Sequence, residues 1–172
     1  MDAWSSFYSV TAAAAATLMG LLFVAVSLNT AEVFGAEKGR QKSLAEQSFR
    51  NYIAVFVFSI GALFPKVDLR EFNLLAIVVA AVSGVIASAH VLDILRAWRN
   101  ETSHLNALRR HVISLLAFGA MAYAAVKSPA APGDARILFA GSTIVLIVAA
   151  TIISWELLQA IAMVKRSPPN GT

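Results

Sequence analysis

The sequence predicts an all-α protein. Specifically, it predicts an integral membrane bundle of five transmembrane helices, with the N-terminus outside and the C-terminus inside. Three observations lead there. Of the 172 residues, 58% are hydrophobic and 14% are charged, and the mean hydropathy is +0.70. Soluble domains are typically about half apolar and about a quarter charged. The charges are also missing in long blocks rather than thinned evenly. Finally, the lysines and arginines fall mainly in alternate connecting segments.

The first span is expected over residues 5–29, because no charge separates Asp2 from Glu32. A helix needs about 20 apolar residues to cross about 30 Å of hydrocarbon. The run lacks a basic leader, so it does not read as a cleaved signal peptide. The second span, over 46–65, uses the charge-free run Asn51–Pro65 and extends upstream. Ser43-Leu-Ala-Glu46 matches a capping box, and Glu46 and Arg50 are spaced i,i+4 for a helical ion pair. The third span, over 72–95, rests on the charge-free interval between Glu71 and Asp93. The fourth, over 108–126, extends His111–Val126 upstream through "HLNALRRHVISLL", with Thr102 or Ser103 able to cap it. The turn "SPAAPGD" at 128–134 precedes the fifth span, over 137–164, whose only charge is Glu156. Residues 1–166 form a single helical domain and 167–172, "SPPNGT", a disordered tail.

Ten lysines and arginines lie in the segments around Lys38–Arg50, Arg96–Arg110 and Lys165–Arg166, against four at Lys66, Arg70, Lys127 and Arg136. The richer set belongs in the cytoplasm, which fixes the orientation and explains the basic pI without nucleic acid. Trp4, Phe7 and Tyr8 fit an outer aromatic belt and Trp98 an inner one. With no cysteine, disulfide and thiolate chemistry are excluded. The sequon Asn100-Glu-Thr102 falls on the cytoplasmic side and is discounted.

The stretch "TAAAAATLMGLLFVAVSLN" at 11–29 resembles the first span of small multi-span bacterial inner-membrane proteins, some regarded as modulators of a membrane protease. The resemblance implies a bacterial inner membrane, and it brings no site residues.

Small residues allow helices to approach closely in lipid. Ala12, Ala16 and Gly20 in the first span, and Ala80, Gly84 and Ser88 in the third, are expected packing stripes.

Polar residues at depth are the candidate site. Glu156 lies nine residues before Lys165, about 13 Å along a helix rising about 1.5 Å per residue. A charge there should face protein or water. Gln159 follows at i+3, and His90 and Asp93 share a face of the third span. Asn29 ends the first span and Asn51 begins the second, all toward the cytoplasmic side. Three readings arise. One is a buried network pairing Glu156 with His90, Arg50 or Arg110. Another is an ion or proton pathway. A third is a metal site of His90, Asp93 and Glu156, although no spacing matches a metal motif. Haem between His90 and His111 is disfavoured, because their expected depths differ.

No phosphate loop, nucleophile elbow or soluble domain points to an enzyme, and no cofactor is implied. Two function classes remain. One is a homo-oligomeric ion channel or permease; the alternative is a non-catalytic accessory subunit of a larger membrane complex. Expected partners are membrane lipid, other copies of the chain, or another membrane protein, and not nucleic acid.

Overall fold

A computed structural model describes residues 2–35, 39–65, 68–96 and 102–166. It is helical throughout these residues: α1 (Asp2–Leu28), α2 (Thr30–Phe34), α3 (Gly39–Leu63), α4 (Leu69–Arg96), α5 (Thr102–Lys127) and α6 (Pro132–Arg166). Each of the five long helices overlaps one of the five expected segments, and α2 is an additional short turn. Trp98 and the tail lie outside the described residues.

Local chemistry sets the helix ends. Asp68 Oδ1 accepts the backbone N–H of Glu71 at 2.8 Å and caps α4. Pro132 opens α6, where its missing N–H costs nothing, and Asp134 adds an acidic charge to the first turn. Helix α3 starts at Gly39, ahead of the expected capping box. The Glu46 carboxylate therefore sits inside the helix, where it reaches Lys42 at 3.9 Å and also attracts Arg50 one turn on.

Helices α3, α4, α5 and α6 form an antiparallel ring in which each packs on the next, and α1 lies outside against α3 and, more lightly, α6. Helix α3 is thus enclosed by α1, α4 and α6. Its residues from Leu44 to Gly61 are buried on several faces, including Gln47, Ser48, Asn51 and Ser59. This explains its less apolar sequence: it faces protein, where polar groups can be satisfied, more than surroundings. Three helices, α1, α4 and α6, contain segments long and apolar enough to cross a membrane: Trp4–Leu28, Leu69–Leu92 and Pro132–Val164. Large apolar side chains are exposed along them, among them Phe23, Val82, Val85, Val148 and Trp155. Such extensive apolar exposure fits a lipid solvent and not water.

The bundle has two different ends. One gathers aromatic rings. Tyr8 (α1), Phe58 (α3), Phe72 (α4) and Phe139 (α6) form a continuous stack with centroids 5.1–6.5 Å apart. Phe118 and Met121 of α5 complete that buried cluster. Tyr8 is therefore a core residue and not part of a surface belt, because its ring packs edge-on against Phe58. The other end is basic, and a second apolar cluster there joins α1, α2, α3 and α6 through Leu22, Val33, Leu44, Tyr52 and Leu157.

The small-residue stripes divide. Ala12 and Ala80 are buried. Ala16 is half-buried, Ser88 is exposed, and a Cβ added at Gly20 or Gly84 would meet nothing within 4 Å. Gly20 and Gly84 are thus not close-approach points. The close approach lies at Gly61, where an added Cβ would collide with Leu75 of α4.

Candidate functional site

At the basic end, the antiparallel pairing of α5 and α6 sets Arg110 opposite Glu156, and the two form an ion pair. The Arg110 side chain is 11% exposed and that of Glu156 28%. The carboxylate thus faces the protein, and of the three expected partners it has Arg110. Glu156, Gln159, Arg40, Arg109 and Arg110 line a cavity of about 230 Å³. Gln159 is exposed on its rim. Three guanidinium groups around one carboxylate leave this cavity net positive.

One turn further into the bundle is a separate hydrogen-bonded pair. Asn51 Nδ2 donates to Ser114 Oγ at 2.9 Å, tying α3 to α5, and both residues are fully buried. Ser114 Oγ in turn reaches the carbonyl of Arg110 at 3.4 Å. On the side of α3 that meets α6, Ser48 Oγ donates to the Ala150 carbonyl at 3.3 Å, and Tyr52 and Thr151 hydroxyls lie 3.2 Å apart. Gln47 is 1% exposed, yet neither its amide nitrogen nor its oxygen has a hydrogen-bond partner. Asn51 Oδ1 and Arg50 Nε and Nη2 are likewise buried without one. Unmade bonds of this kind are costly.

His90 of α4 packs edge-on against His111 of α5, with ring centroids 5.7 Å apart. The expectation that their depths differ is therefore corrected. Because α4 and α5 pack antiparallel, His90 toward the end of one lies level with His111 of the other. Rings in direct contact leave no space for a haem between them. No group of three His, Cys, Asp or Glu residues that could hold a metal occurs among the described residues. The side chain of Asp93 lies outside them, and Glu156 is committed to Arg110. Asn29 does not join the cluster: its Nδ2 donates to the Ala25 carbonyl at 2.7 Å and ties off the end of α1.

The sequence-expected polar residues thus separate into an ion pair (Glu156, with Gln159 beside it), an amide–hydroxyl pair (Asn51) and an imidazole pair (His90). Sequence reasoning passed over Gln47 and Ser114. Gln47 lies one turn before Asn51 on the same helical face, and that i,i+4 spacing was the available signal.

Comparison with protein-family models, curated proteins and solved structures finds no match to this chain. What the fold and these groups define is a class: an all-helical bundle compatible with a membrane, with a polar layer at its basic end.

Proposed function

We propose that the chain is a five-pass protein of a bacterial inner membrane, with its N-terminus outside and its basic end in the cytoplasm. Within that membrane it serves as a non-catalytic accessory subunit of a larger complex. The observation that carries the role is the Glu156–Arg110 pair. A carboxylate at depth suggested a pathway for ions, and here it already has its counter-charge. The Tyr8–Phe58–Phe72–Phe139 stack also packs across the core toward the other end of the bundle, an apolar layer that does not favour a polar route through the described residues. The five-pass topology is supported by the lengths of α3 and α5. Their 25 and 26 residues span about 38 Å at about 1.5 Å per residue, enough to cross. Arg40, Lys42, Arg109 and Arg110 lie at one end, and only Arg70, Lys127 and Arg136 of the described cationic residues lie at the other. That supports the orientation.

A homo-oligomeric channel or permease is the second reading. The unpartnered amide of buried Gln47 favours it, since the polar layer then has more capacity than its internal bonds use. In that case a ring of copies would have to form the pore. Ion flux into liposomes and the mass of the detergent-solubilised particle separate the two. The accessory role expects no flux above the lipid background and no closed ring of copies. Selective flux from a symmetric homo-oligomer would replace it with the channel.

A further inference from the structure

Helices α3 and α4 touch closely at the aromatic end, where Gly61 meets Leu75. Toward the basic end a groove of about 570 Å³ opens between them. Its walls are apolar: Ile53 and Val57 on α3, and Val78, Val82 and Ile86 on α4. Its head is polar, formed by Glu46, Arg50 and His90. From His90 to Val78 the wall runs twelve helical residues, about 18 Å at about 1.5 Å per residue. That is close to one leaflet of a hydrocarbon core about 30 Å thick.

At the head Glu46 and Arg50 attract each other, and Glu46 also reaches Lys42 at 3.9 Å. Arg50 Nε and Nη2 are nevertheless buried and make no hydrogen bond. A guanidinium is always charged, and its fork of donors matches the oxygens of a phosphate. An apolar wall one leaflet long, ending at a buried arginine with unmade bonds, matches a single molecular shape: an acyl chain with an anionic headgroup.

We propose that the α3–α4 groove is a binding site for an anionic phospholipid of the surrounding membrane. One acyl chain lies along Val82 and Ile86, and the phosphate sits on Arg50 with His90 beside it. The site rests on the five-pass reading, because α3 must lie in the bilayer for a lipid to reach it. It does not depend on whether the chain conducts.

The experiment is native mass spectrometry of the full purified chain in detergent, titrated separately with phosphatidylglycerol and phosphatidylcholine of identical acyl chains. The wild type is expected to retain one phosphatidylglycerol about tenfold more tightly than phosphatidylcholine, because both lipids offer Arg50 a phosphate but the choline cation offsets its charge in the zwitterionic one. Arg50→Gln should erase that preference, and Arg50→Lys should keep part of it. Val82→Trp should weaken retention of both lipids, since the ring occupies the wall; Val82 is 57% exposed, so the substitution leaves the core intact. Equal retention of the two lipids overturns the proposal. So does a preference that survives Arg50→Gln, which would place the headgroup at the Arg40–Arg109–Arg110 cavity instead. Retention unaffected by Val82→Trp overturns it as well, as does a stable dimer that binds no lipid, with a second copy in the groove. Failure of the five-pass reading is seen separately, by labelling of Asp68→Cys from the wrong side of the membrane.

Discussion

Removing Glu156 alone should unfold the bundle more readily than removing Glu156 and Arg110 together. Taking one partner from a fully buried ion pair typically costs about 3–5 kcal/mol, because the other charge is stranded. Arg110 is 11% exposed and Glu156 28%, and a cavity of about 230 Å³ opens beside them, so partial hydration softens the penalty. For Glu156→Leu we therefore expect a loss of about 2–3 kcal/mol. This differs from the expectation for a carboxylate without a fixed cationic partner, for which leucine would be harmless. Glu156→Gln keeps an acceptor oxygen for Arg110 and should lose about 1–2 kcal/mol. The double variant Glu156→Leu/Arg110→Met removes both charges and should return to within about 1 kcal/mol of wild type, as well-packed apolar replacements of buried pairs often do. The assay is a double-mutant cycle on detergent-solubilised protein, read by reversible denaturation. With Arg110→Met alone expected to cost a similar amount, about 2–3 kcal/mol, a coupling energy of about 3 kcal/mol or more is expected. Additive losses, with coupling below about 0.5 kcal/mol, would refute the pairing as the reason a carboxylate sits in α6.

Substitutions at other positions test the packing. Gln47→Leu removes two unpartnered buried polar atoms and should raise stability by about 1–3 kcal/mol; a loss would show that the amide is satisfied in the folded protein. Gly61→Ala should cost no more than about 0.5 kcal/mol, because the added methyl meets only the mobile end of the Leu75 side chain, and a larger loss would show that Leu75 cannot move; Gly20→Leu and Gly84→Leu should change melting little, since both sites face open space. Phe58→Ala should cost about 3–5 kcal/mol, because its fully buried ring contacts Tyr8, Phe72 and Phe139; a near-neutral melt would contradict the aromatic stack.

Hydropathy made the long helices legible, since a charge-free run of this length has few other uses. It also marked Glu156 as a lone charge in an apolar run that should face protein, and it does face Arg110. Its partner was narrowed to three but not chosen, because the choice depends on which helices are neighbours. Arg110 meets Glu156 only because α5 packs on α6 in that register. The same limit explains His90 and His111. Their depth was judged along each span by itself, whereas the packing of α4 on α5 decides which residues meet. The small-residue stripes failed at Gly20 and Gly84 for another reason. An i,i+4 pattern marks a face without saying which way that face turns. The close approach at Gly61 had no stripe around it to announce it. Gln47 was missed because glutamine near a helix start usually reads as solvated surface. Here α3 is enclosed on three sides, a property of the ring and not of the local sequence.

The chain contains no cysteine, so single cysteines can report the side of the membrane without competition. The most direct test is labelling with a membrane-impermeant thiol reagent at Gly35, Asp68, Thr102 and Gly133, each replaced in turn by cysteine, in intact cells and in inverted vesicles. Five crossings with the N-terminus outside require positions 68 and 133 to react from outside, and 35 and 102 from inside. If only the three most apolar helices crossed, position 68 would react from inside and 102 from outside, contradicting the five-pass bundle.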